Sequence, residues 1–241
     1  MTTSQLAVLK TVQLSSMETD DLQALSTDQL AAMTTAQVAS LSTDQIVSLT
    51  TDQVSNLKTA QIKSLTTSQM AAIATDDALS LTTSQLTALT TAQIVSVTTE
   101  QLQALSTSQL SQLKTTQMAV LTTDQMAAMT TSQVSNLTTS QMVSLTTAQL
   151  TGLETVDLAA ISTTQMASLL TAQIANLSTN QVVAFTTAQA ANLKTAQLAA
   201  LTTAQVAAME TADLAAITTV QVKSFTATQV SAFTTDQWVA L

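Results

Sequence analysis

The sequence predicts an all-α solenoid of about thirty stacked eight-residue repeats, each a very short helix with a threonine-capped turn. Three observations predict it. Residues 1–240 divide into 30 octads without insertion or deletion, two apolar positions in each octad are separated by three residues, and Thr or Ser stands where each helix must break. The octad positions are named a to h, with a at Met1, and the consensus is Leu-Thr-Thr-x-Gln-Leu-Ala-Ala.

The apolar positions a and f predict the helices. Position a is apolar throughout, and position f is Leu, Val, Ile or Met except at Ala78, Ala190 and Trp238. The step of three from f to the next a places both side chains on one helical face, whereas a strand would place them on opposite faces. The return step of five fits neither period. The helix must therefore break once in every octad, and a helix from d to a is expected.

The break falls at positions b and c, and it admits two capping registers. Position c is Thr in 29 of 30 octads, whereas b is Thr or Ser in 21. A hydroxyl at the N-cap accepts a hydrogen bond from a first-turn N–H that has no partner inside the helix. With b as N-cap, b and e form a Thr-x-x-Gln capping box. The near-constant c is the favoured N-cap, so Thr123→Val is expected to destabilise the protein by about 1 kcal/mol, and a larger loss at Thr122 would assign the cap to b.

Position e carries the second regularity of the octad. It is Gln in 26 octads and Asp in the other four, at Asp21, Asp77, Asp157 and Asp213. A polar side chain this regular in a stacked array predicts a row that satisfies backbone groups at each chain break, where helix ends leave carbonyls unpaired. The alternative is a row of amides that binds a ligand.

Competing architectures fit the octad less well. A β-solenoid needs Gly, Asn or Pro at its corners, and this chain has one Gly and no Pro. In one continuous helix the apolar stripe would rotate around the helix axis by about 80° per octad, so it could not stay in contact with a core. Short stacked helices are therefore predicted, in one elongated array over residues 1–241 without a linker. Two octads per coil are expected, which would bring Lys194 next to Glu210.

Composition excludes several functions. The chain has no Cys, His or Arg, so disulfides, thiolate or imidazole metal ligands and Ser/His/Asp or Cys/His catalytic sets are excluded. A net charge of −9 with six Lys argues against nucleic acid and anionic membranes as partners. No run approaches the roughly 20 apolar residues of a membrane span, and no signal peptide is evident. We expect no enzyme, no catalytic, cofactor-binding or metal-binding residue, and no cofactor.

Two acidic pairs are the nearest approach to a metal site. Asp20 and Asp21, and likewise Asp76 and Asp77, could offer oxygen ligands to Ca²⁺. A proper calcium site needs six or more oxygen ligands. Solvated carboxylates in the first turn of a helix are the favoured interpretation.

The larger apolar side chains have a clear distribution. All ten Met residues occupy a or f, which indicates core packing before any binding role. The four aromatic residues Phe185, Phe225, Phe233 and Trp238 all lie in the last quarter. They are expected either to thicken the core or to form an exposed docking end.

The tract Leu-Thr-Thr-Ala-Gln-Leu at Leu145–Leu150 resembles octapeptide-repeat regions of large bacterial proteins predicted to be secreted or surface-exposed. The resemblance covers the whole chain. It implies a spacer or scaffold that stands beside other modules, with an extracellular or cell-surface location. It transfers no catalytic residue.

Two function classes remain. The first is a structural repeat module, acting as a rigid spacer, scaffold or filament-forming subunit. The second is a protein whose regular Thr rows at b and c bind an ordered surface such as ice or a polysaccharide. The first and last octads follow the interior pattern, so the stack is expected to lack polar caps and to associate end to end, or to belong to a longer array.

Overall fold

The computed structural model describes residues 1–241 and contains thirty helices, one in each octad, and no strand. The predicted all-α architecture of short stacked helices is therefore confirmed. The chain falls into two compact units, Met1–Leu121 and Thr122–Leu241, each of which is a helical solenoid. The prediction of one array over residues 1–241 stays a prediction.

Every helix has four to six residues. The first unit contains α1 (Thr3–Ala7), α2 (Thr11–Ser15), α3 (Thr19–Gln23), α4 (Thr27–Ala32), α5 (Thr35–Ala39), α6 (Thr43–Val47), α7 (Thr51–Ser55), α8 (Thr59–Ser64), α9 (Thr67–Ala72), α10 (Thr75–Ser80), α11 (Thr83–Ala88), α12 (Thr91–Ser96), α13 (Thr99–Ala104), α14 (Thr107–Ser111) and α15 (Thr115–Met118). The second contains α16 (Thr123–Ala127), α17 (Thr131–Ser135), α18 (Thr139–Ser144), α19 (Thr147–Thr151), α20 (Thr155–Ala160), α21 (Thr163–Ser168), α22 (Thr171–Ala175), α23 (Thr179–Val183), α24 (Thr187–Ala191), α25 (Thr195–Ala200), α26 (Thr203–Ala208), α27 (Thr211–Ala216), α28 (Thr219–Val222), α29 (Ala227–Val230) and α30 (Thr235–Ala240). None of these helices is long enough to cross a membrane.

The helices begin at c and are capped from b, so the expectation that c is the N-cap was wrong. Thr122 is extended, with φ −70° and ψ 161°, and its hydroxyl accepts the Gln125 N–H at 3.1 Å. The Gln125 side chain accepts the Thr122 N–H in return at 2.8 Å. This reciprocal box needs Gln three positions after the cap, with two residues between them. Only b stands at that distance from e, and c becomes the first helical residue.

Capping at b predicts the reverse of the sequence-based ranking. Thr122→Val should destabilise the protein by about 1 kcal/mol because the Gln125 N–H loses its acceptor. Thr123→Val, at an exposed helical position, should cost less. Urea denaturation of the two variants checks the order, and a larger loss for Thr123→Val would return the cap to c.

The turns between helices explain why the chain needs almost no glycine. Helices end at f, g or h and not at a, and the following a is extended, as at Leu145 with φ −65° and ψ 139°. No residue has positive φ, so no position requires the conformational freedom of glycine. Even Gly152 has φ −77°.

The core of each unit is built from positions a and f, as predicted. At f, side chains from Leu6 to Leu214 are buried, and most interior a residues are buried with them. The Met residues pack in this core apart from Met1, which is exposed, and Met17, which is half-buried. Helices too short to be stable alone thus gain their stability from stacking.

Successive coils pack each helix against the third helix along the chain, as α5 packs against α8 and α22 against α25. Hydrogen bonds between coils join residues 26 to 31 positions apart. A coil therefore takes between three and four octads, and the expected two-octad coil was wrong. The extended a and b residues turn the chain through a corner without reversing it. A coil of two octads would require a full reversal at each break. Lys194 and Glu210 accordingly form no ion pair.

Candidate functional site

The chemistry most regular in the structure is the amide row, defined as the Gln side chains at position e. Gln93 shows its geometry in the first unit, where it is 2% exposed. Its Oε1 accepts the Thr90 N–H at 2.9 Å, which caps its own helix. Its Nε2 donates to the carbonyls of Ile62 and Leu65, both at 2.8 Å. One side chain thus ties a helix N-terminus to the chain break one coil earlier.

The same bonds recur throughout both units. At Gln101, Gln117, Gln181 and Gln229 the bond from Nε2 to a position-a carbonyl spans 28 residues, with distances from 2.6 to 3.0 Å. The repeat of 28 residues corresponds to about three and a half octads per coil. The predicted role of e in satisfying backbone groups is confirmed.

Aspartate at e replaces this arrangement with a different one. The four Asp residues follow Glu18, Ala74, Glu154 and Glu210 at b, and their helices have no capping box. Asp lacks both the side-chain donor and one methylene of Gln. In the buried cases the carboxylate accepts a hydrogen bond from the hydroxyl of a position-c residue in the preceding coil.

Two of these contacts have the same geometry in different units. Thr51 Oγ1 donates to Asp77 Oδ1 in the first unit, and Thr131 Oγ1 donates to Asp157 Oδ1 in the second, each at 2.7 Å. Each pair is separated by 26 residues. Asp therefore preserves contact between neighbouring coils but leaves the donor function of the amide row unfilled.

Asp213 is the least satisfied member of the set. It is 3% exposed, and its Oδ2 is buried without a hydrogen-bond partner. Burial raises the pKa of this carboxyl above its ordinary value, and the negative charge of Glu210 adds to the effect, while a hydrogen bond with Thr187 opposes it. A protonated carboxyl would regain a donor at the point where Gln supplies one.

The raised pKa of Asp213 predicts a local dependence of stability on pH. Above the ordinary Asp pKa of about 3.9, the unfolded residue ionises while the folded one retains its proton. The folded state then binds more protons, so stability falls as pH rises until the folded pKa is passed. Asp213→Asn should remove this fall, whereas Asp236→Asn, at an exposed position, should not. Parallel pH profiles for wild type and Asp213→Asn, measured by urea denaturation, would contradict the assignment.

The fold separates the two members of one of the acidic pairs that could offer ligands to calcium. Asp20, Asp21 and Asp76 are exposed, as expected for solvated first-turn carboxylates. Asp77 is buried and bonded to Thr51, so the solvated interpretation was wrong for this residue. The structure brings together no group of three or more acidic residues that could hold a metal ion. The sequence did contain a signal for the altered helix start, since Asp at e occurs only where b has no hydroxyl, but the exposed Asp21 follows the same pattern and so the pattern does not predict burial.

Another exposed first-turn acid has a perturbed pKa. Hydrogen bonding by its own backbone N–H lowers the pKa of Glu100, and the Thr98 and Thr99 hydroxyls add to the effect. Glu100 stands at d and therefore has the same helix-start position as Asp20 and Asp76. These carboxylates stabilise helix starts, where unpaired N–H groups face them.

The surface of the second unit contains a shallow groove, lined by several hydroxyl-bearing residues, that the sequence did not indicate. Its volume is about 390 Å³, and it crosses octads of three successive coils. Its lining includes Thr139, Thr163, Thr164, Ser168, Asn192 and Lys194. The lining residues lie far apart in sequence, and only the length of the coil brings them together.

Three of the four aromatic residues form a connected cluster at the end of the second unit. Phe225 and Phe233 contact edge to face with ring centroids 5.2 Å apart, and Phe233 contacts Trp238 in the same way at 5.5 Å. The three Phe side chains are buried at position a, whereas Trp238 is 54% exposed. The Phe side chains thicken the core, as expected, whereas Trp238 remains on the surface and the expected docking end stays a prediction.

Comparison with known proteins supports the octad as a family motif. A family model of the ALTTAQ repeat matches residues 14–51, 98–131, 150–187 and 206–241. The tract Ala88–Gln93 reads Ala-Leu-Thr-Thr-Ala-Gln, which spans the turn from h to the Gln of the amide row. No curated protein matches the chain. The four matched regions cover more than half of the sequence, and the chain belongs to the ALTTAQ repeat family.

Proposed function

We propose that this repeat module is a rigid spacer or scaffold of a bacterial surface or secreted protein, joined to further copies end to end. The amide row is the observation that carries the proposal. The most regular polar side chains of the octad are used to hold one coil to the next, as Gln93 and Gln181 do. A spacer needs such bonds, because they keep neighbouring coils joined along its whole length.

The energetics of stacked repeats support a spacer. Each coil contacts only its neighbours, so stability is a sum of similar local terms and length can change without loss of fold. The resemblance of Leu145–Leu150 to repeat regions of large bacterial secreted or surface proteins supports the location. A module of this kind separates or aligns other domains without acting on a substrate.

Changing the number of octads tests the spacer proposal. Deletion of residues 153–208 removes seven octads, which is two coils at about 28 residues each, and joins Gly152 to Met209 in octad register. Tandem duplication of the same residues adds two coils. The longest dimension from small-angle X-ray scattering should fall and rise by equal steps. Deletion of residues 153–180 breaks the octad register at the junction and serves as the control, since it should destabilise the protein. Unequal steps from the two in-register variants would contradict a spacer.

A second candidate is binding to a polysaccharide or another ordered hydroxylated surface. The groove lined by Thr139, Thr163 and Lys194 favours it, because hydroxyl and ammonium groups hydrogen-bond sugar hydroxyls. Many c threonines are also exposed, with their hydroxyls outside the capping boxes. A glycan array with wild type and Lys194→Glu tests the sugar, and thermal hysteresis tests ice. Binding in neither experiment would remove this candidate.

A further inference from the structure

Acidic residues at b and e occur together in this chain. Every Glu at b is followed by Asp at e, whereas every Lys at b is followed by Gln, at Lys10, Lys58, Lys114 and Lys194. Two like charges three positions apart on a helix repel each other, and Lys with Asp at the same positions would attract. The octad pattern therefore concentrates negative charge where the amide row is interrupted.

The octad of Glu210 and Asp213 lies inside the second unit, where α27 packs against both α24 and α30. α24 contains no charged residue, and α30 contains only Asp236. None of the six Lys residues lies in these three helices. Burial and the neighbouring Glu210 both raise the pKa of Asp213. An ionised carboxylate at this position therefore needs a positive partner that these helices do not supply.

The hydrogen bonding between coils is interrupted at the same point. Gln205, one octad before Asp213, donates to the Leu177 carbonyl at 2.7 Å across the usual 28 residues. The carbonyl 28 residues before Asp213 belongs to Phe185, which is buried, and it accepts no hydrogen bond, because Asp has no side-chain N–H to donate. Asp213 Oδ2 is itself buried without a partner. Two oxygen atoms with free lone pairs therefore lie between the same two coils.

Thr187 and Glu210 complete the surroundings of these two oxygens. The Thr187 hydroxyl hydrogen-bonds the Asp213 carboxyl, from the position at which Thr131 donates to Asp157 Oδ1 at 2.7 Å. One carboxyl oxygen is thus used to hold the side chain, and Oδ2 is left for a ligand. Glu210 is exposed and adds a second carboxylate on the solvent side.

We propose that Glu210, Asp213 and the Phe185 carbonyl bind a Ca²⁺ ion between two coils. Ca²⁺ takes about six to eight oxygen ligands from carboxylates, backbone carbonyls and water. The three groups supply part of this set, and the exposed side of Glu210 allows water to complete it. Mg²⁺ requires a regular octahedron and loses its own water reluctantly, so it fits the site less well. This site departs from the sequence-based expectation of no metal-binding residue.

The same set of oxygens recurs two coils earlier in the second unit. Glu154 and Asp157 stand at the octad positions of Glu210 and Asp213. The carbonyl 28 residues before Asp157 belongs to Met129, which is buried, and it too accepts no hydrogen bond. A second Ca²⁺ is expected there.

Equilibrium dialysis with ⁴⁵Ca²⁺ at neutral pH measures the binding directly. Wild type should bind with a dissociation constant of about 0.1–1 mM, as extracellular calcium modules do. Asp213→Gln restores the consensus octad, so it should fold, regain the bond to the Phe185 carbonyl and bind one ion fewer. Glu210→Gln should weaken this site by about tenfold or more through the loss of one charged ligand. The control Glu100→Gln, at an exposed first-turn acid outside the site, should bind as wild type does.

The first unit allows a test by gain of a site. Asp77 is buried and contacts Thr51 at 2.7 Å, as Asp157 contacts Thr131, but Ala74 stands at b and supplies no carboxylate. Ala74→Glu should therefore add one bound Ca²⁺ per chain, whereas the matched control Ala74→Gln should add none.

Calcium should also raise the urea midpoint of wild type more than that of Asp213→Gln, because an ion that binds only the folded state stabilises it. Three results would overturn the site: no Ca²⁺ bound at about 10 mM, equal binding by wild type and Asp213→Gln, or equal binding by Ala74→Glu and Ala74→Gln. None of them would alter the equal steps expected from octad deletion and duplication, on which the spacer proposal depends.

Discussion

Gln93→Leu should destabilise the first unit by about 2–5 kcal/mol. The substitution removes the acceptor of the Thr90 N–H and the donor to the Leu65 carbonyl. Each buried backbone group left without a partner costs about 1–3 kcal/mol. The loss should appear as a lower urea midpoint and as faster hydrogen exchange in α12.

A matched substitution distinguishes the stability contributed by the bond between coils from the stability contributed by the cap. Gln13→Leu removes the bond from the Lys10 N–H at an exposed position, where water replaces the lost acceptor, so its cost should be below about 1 kcal/mol. Gln93→Glu retains the cap but sets a carboxylate against the Ile62 and Leu65 carbonyls. It should be as damaging as Gln93→Leu at neutral pH and less damaging in acid, where the protonated carboxyl donates. Equal losses for Gln93→Leu and Gln13→Leu would show that the bond between coils contributes nothing.

Leu150→Ala should destabilise the second unit by about 2–5 kcal/mol. Leu150 is fully buried at f, and its truncation both removes apolar contact and leaves a cavity that stacked helices close only in part. Val143→Ala, at the half-exposed position g of the preceding octad, is the control and should cost well under half as much. Urea denaturation of both variants measures the difference, and similar midpoints would contradict a core at f.

The protein also offers a natural counterpart to the Leu150 variant. Ala190 already occupies a fully buried f position in α24, so individual octads tolerate a small residue there. We expect Leu150→Ala to remain folded for the same reason. Its lower stability should be confined to the coils around α19, because each coil contacts only its neighbours.

Periodicity was enough to predict an all-α stack of short helices. The spacing of f and a required a helix that breaks once per octad, and thirty short helices are found. The near invariance of Gln at e predicted a row that satisfies backbone groups, and Gln93 shows both halves of that role. These features are local or repeat in every octad, so a single sequence contains them many times.

Features that depend on the length of the coil could not be predicted. The sequence does not specify the angle turned at each break, and the expectation of two octads per coil was therefore wrong. The burial of Asp77 against Thr51, and the groove beside Lys194, follow from that length. The capping error at Thr123 had a different origin. Near invariance at c predicts a cap at that position, whereas the geometry of the capping box assigns the cap to b.

Hydrogen exchange of the Gln side-chain amides tests the central claim most directly. In a ¹⁵N-labelled protein, the side-chain NH₂ groups of buried members such as Gln93 and Gln181 should exchange slowly, because each donates to a carbonyl 28 residues earlier. Gln5 and Gln13, whose amide nitrogens have no acceptor, should exchange at the rate of free glutamine at low protein concentration. Uniformly fast exchange across all Gln side chains would contradict an amide row that holds one coil to the next.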